Sequence, residues 1–129
     1  MPALNRVQLI GNLGKDPETR HTPKGNKLCS FTVAVNRRWK GSDGEAKEAT
    51  DWFNIETWGH LAEICQQYLK KGNLVFIEGR LHTDRVEHEG VTRYFTKVIA
   101  MQMQMLDRKM SKVVETDETP SEEDAPPID

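Results

Sequence analysis

The run Asp51-Trp52-Phe53-Asn54-Ile55-Glu56-Thr57-Trp58 alternates as a strand does, and the alternation separates two kinds of surface. Successive strand side chains point to opposite sides, so Phe53 and Ile55 share one face, fit for a core. Trp52, Asn54, Glu56 and Trp58 share the other. Large rings among polar groups are rarely needed by a purely structural sheet. Flat rings on a polar face offer platforms on which unpaired bases stack, each worth about 1–3 kcal/mol and indifferent to base identity, because every base has a π-face. A third ring, Trp39, stands among Arg37, Arg38 and Lys40. Such cations track phosphates and release counterions, which makes binding weaken as salt rises. The competing role for each ring is packing or contact between subunits, and it weighs most at Trp58, next to the start of a helical pattern.

Further along, Phe76 and Arg80 project to one side, with His82 beyond them. Phe76 reads as packing, and Arg80 as a phosphate contact or a solvated charge. Arg93 and Lys97 share a face of the last strand and join the phosphate set. Arg20, Lys24 and Lys27 cluster in the first loop, where charge commonly serves solvation. The alternating Met101-Gln102-Met103-Gln104-Met105 reads as core or subunit interface. Signals for catalysis are poor: His21, His60, His82 and His88 lack Cys or carboxylate partners at metal-ligand spacing, and no Ser or Cys sits in a nucleophile signature. Glu56 and Glu78 could face outward on neighbouring strands and hold a metal, but two carboxylates are a weak signal. No catalytic residue, metal or cofactor is expected, and the chain does not read as an enzyme.

The elements that must position these residues follow from period and punctuation. Val7, Leu9, Gly11 and Leu13 alternate with polar neighbours in a first strand. The stretch from Lys15 to Asn26 carries Pro17, Pro23 and Gly25 and reads as a turn-rich connection. Phe31, Val33 and Val35 mark the inward face of a second strand, opposite Ser30, Thr32, Ala34 and Asn36. Residues 41–50 show no strand pattern and read as a mobile loop, followed by the tryptophan strand. Leu61, Ile64, Cys65, Tyr68 and Leu69 then recur at helical spacing, predicting one amphipathic helix over residues 60–71 closed by Lys70, Lys71 and Gly72. Val75, Ile77 and Leu81 give a fourth strand, Glu87 to Gly90 a hairpin turn, and Arg93 to Met105 a fifth strand. Three strands, a helix and two strands is the order of the five-stranded OB-fold, an all-β barrel with one helix between strands three and four.

With 129 residues and 36% hydrophobic content, there is room for one core. The expected division is an OB domain over residues 1–108 and a disordered acidic tail over 109–129. The net charge of −2 hides a split. Residues 1–112 hold all 18 Lys and Arg against 13 of the 20 acidic residues, a surplus of five positive charges; residues 113–129 hold the other seven acidic residues and no base. That asymmetry points to a polyanionic ligand for the body. Past Leu106 there is almost nothing to bury, so ordering would not be offset. No signal-like or membrane-spanning stretch is present, and a cytoplasmic location is expected. Cys29 and Cys65 read as small buried thiols.

Together, Asn12-Leu13-Gly14-Lys15-Asp16-Pro17-Glu18, Arg38-Trp39, Thr50-Asp51-Trp52, Trp58-Gly59-His60-Leu61-Ala62-Glu63, Tyr68-Leu69-Lys70-Lys71-Gly72 and Val75-Phe76-Ile77-Glu78-Gly79-Arg80-Leu81 resemble the bacterial single-stranded DNA-binding proteins. The resemblance runs from about Arg6 to Leu106, in that family's order and spacing. It implies an OB fold assembled as a homotetramer, single-stranded DNA wrapped around it in replication, recombination and repair, and stacking at Trp39, Trp52 and Trp58. Many relatives carry phenylalanine in place of Trp58, so a ring is kept there. Several place another aromatic in the last hairpin where this chain has Val86, which cannot stack comparably. The family's acidic tail usually closes with Asp-Asp-Asp-Ile-Pro-Phe and docks replication and repair enzymes. Here Glu122, Glu123, Asp124 and Asp129 keep the acidity without a terminal Phe, leaving Ile128 as a weaker apolar anchor; the short tail also fits a specialised paralogue. An RNA-binding OB module and an OB scaffold for proteins are the alternatives to single-stranded DNA.

The charge split predicts that the tail competes with a polyanion for the basic body. Deleting residues 113–129 should raise affinity for oligo-dT, most at low salt; affinity unchanged at every salt concentration would exclude the competition.

Overall fold

Inward positions two apart define the strands, and the computed structural model, which describes residues 2–107, shows how they join. The elements are β1 (Val7–Leu13), β2 (Glu18–His21), β3 (Lys27–Lys40), β4 (Ala46–Trp58), α1 (Gly59–Tyr68), β5 (Leu74–His88) and β6 (Val91–Met105). Neighbours run β1-β5-β6-β4-β3, and β1 also pairs with β3 through Asn12↔Ala34 and Leu13↔Val33, which closes a five-stranded barrel. All barrel pairings are antiparallel except β4 with β6. This is the OB barrel expected from the element order, with α1 between its third and fourth strands.

Inside lie Leu13, Cys29, Phe31, Val33, Ile55, Val75, Ile77, Val98, Ala100, Met103 and Met105, all buried. The helix adds Ala62 and Cys65, with Leu61, Ile64 and Tyr68 packed against the same core. Each fully buried aliphatic side chain of this size contributes roughly 1.5–3 kcal/mol. Both cysteines are free and buried, and burial pushes the Cys65 thiol up to about 12, with Cys29 nearby adding to the shift. Thr57 is buried with its hydroxyl donating to the Cys29 carbonyl at 2.8 Å. Among the described residues no helix is long and apolar enough to cross a membrane.

Four local differences from the sequence reading have physical causes. The turn-rich first connection contains β2, which pairs with β3 from Glu18↔Ser30 to His21↔Lys27; the Pro and Gly signals mark the tight turn joining them, closed by the Thr22 amide bonding to the Asn26 carbonyl at 2.9 Å. The loop assigned to residues 41–50 shrinks to 41–45, because Ala46 to Thr50 pair with Lys40 to Asn36. Both faces of that extension meet solvent, so no hydrophobic alternation marks it. The helix ends at Tyr68, before Lys70 and Lys71. Those lysines instead enter a turn that docks on β1: the Gly72 amide bonds to the Leu13 carbonyl at 2.9 Å and the Lys71 amide to Asp16 Oδ1 at 2.8 Å.

The fourth difference lies in β6. A bulge opposite Glu78 and Gly79 leaves Met101 unpaired, so the inward set changes from Val98 and Ala100 to Met103 and Met105. Two of the three methionines are therefore core, and Met101 is exposed. The β5–β6 hairpin closes at Glu89 and Gly90, both with positive φ, as a two-residue turn matched to strand twist requires. The tail residues Glu122, Glu123, Asp124, Ile128 and Asp129 lie outside the described residues.

At the bulge the backbones of β5 and β6 come together over Gly79, where an added Cβ would overlap the Ile99 carbonyl and sit 2.9 Å from the Ala100 Cα. Gly79→Ala should cost about 1–3 kcal/mol by forcing this corner apart. A thermal melt would show it, and an unchanged midpoint would mean that the corner yields freely.

Candidate nucleic-acid interface

The outward face of β4 carries the four residues that alternation placed there. Trp52 is 62% exposed and Trp58 39%, with Asn54 exposed and Glu56 buried between them. Opposite them on β3 stand Ala34, Thr32, Ser30 and Leu28 in register. Those first three side chains are small, so the rings rise above the sheet.

Trp52 rests on Gly14, just past the end of β1. A Cβ there would overlap the edge of the ring and lie 2.9 Å from the Thr32 hydroxyl. The missing side chain lets the indole lie on backbone while most of its surface stays open. The ring is pre-organised at little entropic cost.

Trp58 is held differently. Its indole N–H donates to Glu56 Oε1 at 2.9 Å, and Glu56 Oε2 accepts from the Lys97 ammonium at 2.8 Å. Lys97 also meets Asp84 Oδ2 at 3.0 Å, and Asp84 Oδ1 lies 3.0 Å from His82 Nε2. One ammonium thus joins β4, β5 and β6. Desolvation pulls the Lys97 pKa down, but hydrogen bonds and charge from Glu56 and Asp84 outweigh it, and the net shift is upward. Asp84 is held below the ordinary aspartate value, first by the Lys97 hydrogen bond and further by His82. Lys97, expected to meet phosphate, is therefore engaged by two carboxylates and acts as a structural cation.

Trp39 is 43% exposed, with the Arg37 guanidinium 4.9 Å from its ring centroid. Arg37 Nε also bonds to Asp51 Oδ2 at 2.9 Å, and Arg38 Nε lies 3.6 Å from Glu48 Oε2. The β3–β4 register is unbroken from Leu28↔Trp58 to Lys40↔Ala46. Strand parity then sets Trp39 with Arg37, Val35 and Val33, on the face continuous with the barrel interior, and Trp52 with Ala34 on the other. The three rings do not form one patch: Trp52 and Trp58 share a face, and Trp39 stands on its reverse.

Among the described residues no carboxylate pairs with Lys40, Arg80 or Arg93. Arg80 is exposed beside Ile99, the residue level with Glu56. Arg93 lies opposite Val86 near the tip of the β5–β6 arm. Two exposed aromatics there carried no assigned role from sequence: Tyr94 at 66% and Phe95 at 54%. Counting back from the inward Val98 in steps of two reaches Thr96 and Tyr94, and so leaves Phe95 outward with Lys97. Among the described residues no group of three or more His, Cys, Asp or Glu could hold a metal ion.

Removing the ammonium leaves the buried Glu56 carboxylate without its ion partner. Lys97→Met should cost about 2–3 kcal/mol, less than a fully buried pair because Lys97 keeps some solvent. The lowered Asp84 pKa gives stability present above its unfolded value and lost as pH falls through the folded one. The raised Lys97 pKa gives stability present below its unfolded value and lost as pH rises through the folded one. Both of these contributions are in force at neutral pH. Urea midpoints at pH 7 for Lys97→Met, and for the same change with Glu56→Gln, would test this; the second change should recover part of the loss.

The single-strand binding protein family model matches residues 4–106. The chain is 47% identical over 110 residues to single-stranded DNA-binding protein 1 of Chlorobaculum tepidum, covering 84% of this chain and 68% of the relative. It is 44% identical over 105 residues to a single-stranded DNA-binding protein of Neisseria meningitidis, covering 81% of this chain and 60% of that protein's length. The Plasmodium falciparum SSB in its complex with ssDNA superposes with a TM-score of 0.77 at 28% identity, over 83% of this chain and 98% of that one. A deletion mutant of the single-stranded DNA-binding protein of Thermus aquaticus gives 0.74 at 30% identity, over 82% and 52%.

Proposed function

The chain belongs to the single-strand binding protein family, and from that premise we propose that it binds single-stranded DNA without regard to sequence, protecting unwound strands during replication, recombination and repair. Members of this family bind DNA and are non-catalytic. The observation that carries the reading is the outward face of β4, where Trp52 lies open on Gly14 and Trp58 stays half exposed.

Bases stack on Trp52, Trp58 and Trp39, and the backbone passes over Arg37, Arg38, Lys40, Arg80 and Arg93. Arg37 and Arg38 exchange carboxylate for phosphate as DNA arrives. Exposed ion pairs are worth only about 0–1 kcal/mol, so the exchange is easy. Lys97 keeps its carboxylates and serves the site by holding Trp58 through Glu56. The working assembly is a homotetramer with DNA wrapped around it on the bacterial nucleoid. Glu122, Glu123, Asp124 and Asp129, with Ile128 as the apolar anchor, dock replication and repair proteins.

Oligo-dT should quench the tryptophan fluorescence, and a duplex of equal length should not. Trp52→Ala should weaken binding by about tenfold, alike for dT, dC and dA oligomers, with the salt dependence retained. Duplex bound as tightly as oligo-dT, or a loss confined to one base, would overturn stacking as the mode of binding.

A further inference from the structure

The parallel seam between β4 and β6 consists of Ile55↔Val98 and Glu56↔Ile99. Beyond it each strand pairs only with its hairpin partner, β4 with β3 and β6 with β5. Carrying the register past the last pair brings Lys97 level with Asn54 and Phe95 level with Trp52. Parity sets Phe95, Lys97 and Ile99 on the outward side that Glu56, Asn54 and Trp52 also face. The two arms therefore present an aromatic each, at equal height, across the gap where the strands part.

Phe95 makes no core contact that would explain so exposed a ring. Opposite it on β5 is Asp84, whose carboxylate would repel a phosphate if left alone; Lys97, two residues along, holds that carboxylate and Glu56 together. Two residues the other way is Arg93, without an ion partner among the described residues. Along this face the order is free cation, ring, and a cation satisfied by two carboxylates. Arg93 is thus the cation left to meet a phosphate beside the ring.

We infer that Phe95 is a further base-stacking residue, taking an unpaired base of the single strand that crosses from the β3–β4 arm to the β5–β6 arm, with Arg93 on the adjacent phosphate. This extends the proposed function and rests on it. Tyr94, the neighbouring exposed ring, points to the reverse of the arm beside Arg85 and has no part in this contact. The Lys97 bridge fixes β6 to β4 and β5 two residues from Phe95, which holds the ring at its height before DNA arrives.

The test uses the full chain with oligo-dT long enough to span both arms, comparing Phe95→Leu, Phe95→Tyr and Trp52→Ala, with subunit number followed by mass measurement. Phe95→Leu should weaken binding by about five- to twentyfold, Phe95→Tyr should stay within about twofold of the parent, and subunit number should not change. Equal affinity for Phe95→Leu and the parent, while Trp52→Ala is weakened, overturns the Phe95 assignment and leaves the stacking function standing. A parent protein that fails to bind oligo-dT overturns the function itself. A Phe95→Leu protein with altered subunit number, or a Phe95→Tyr protein as weak as Phe95→Leu, assigns the ring to packing and overturns the inference.

Discussion

Everything distinctive about this molecule depends on a short parallel seam. Ile55 against Val98 and Glu56 against Ile99 are the only residues through which β4 and β6 pair, yet they complete the barrel. A longer seam would have drawn both hairpins into one continuous wall. Because pairing ends there, each hairpin continues alone into solvent, and side chains belonging to a barrel interior or wall become surface. The Lys97 ammonium sits at the point of separation, bound to Glu56 on one strand and Asp84 on another. It offsets the loss of backbone pairing where the arms part and ties an indole to the same junction.

Much of this is legible in the sequence, and the reason is burial. Wherever one face of a strand meets the core, alternation must be present, so Phe31, Val33 and Val35, or Val75 and Ile77, marked their strands unmistakably. The helix was legible for the same reason through Leu61, Ile64 and Cys65. Where neither face is buried, the pattern has nothing to record. Ala46 to Thr50 consequently read as a loop, although their backbone pairs residue for residue with β3. The bulge at Met101 was hidden because alternation of Met and Gln fits either phase until a partner strand fixes it.

Of the site, residue types were legible and their partners were not. Strand parity correctly set Trp52 and Trp58 on one outward face. The same counting, applied to the strand before the turn, sets Trp39 on the reverse once the two strands are known to pair without a slip. Lys97 is set apart from Arg93 by what faces it across strands: two carboxylates from β4 and β5 in one case, Val86 in the other. Long-range pairing decides whether a cation is structural or free, and a single sequence holds no local signal for it. Each ring also depends on a different device: a vacant position at Gly14 for Trp52, a carboxylate for Trp58 and a stacked guanidinium for Trp39.

The opposed faces of Trp39 and Trp52 carry a geometric consequence. A two-stranded ribbon has only two sides, and the rings use both. A strand stacked on both rings, as proposed, would pass around an edge of the ribbon or around its turn at residues 41–45. If both rings stack bases as proposed, curvature of the bound strand follows within a single subunit from the parity of two residues. A rigid rod such as a double helix cannot follow that path at the scale of one hairpin. Under the proposed stacking, such an arm would select its ligand by flexibility as well as by the exposed faces of its bases.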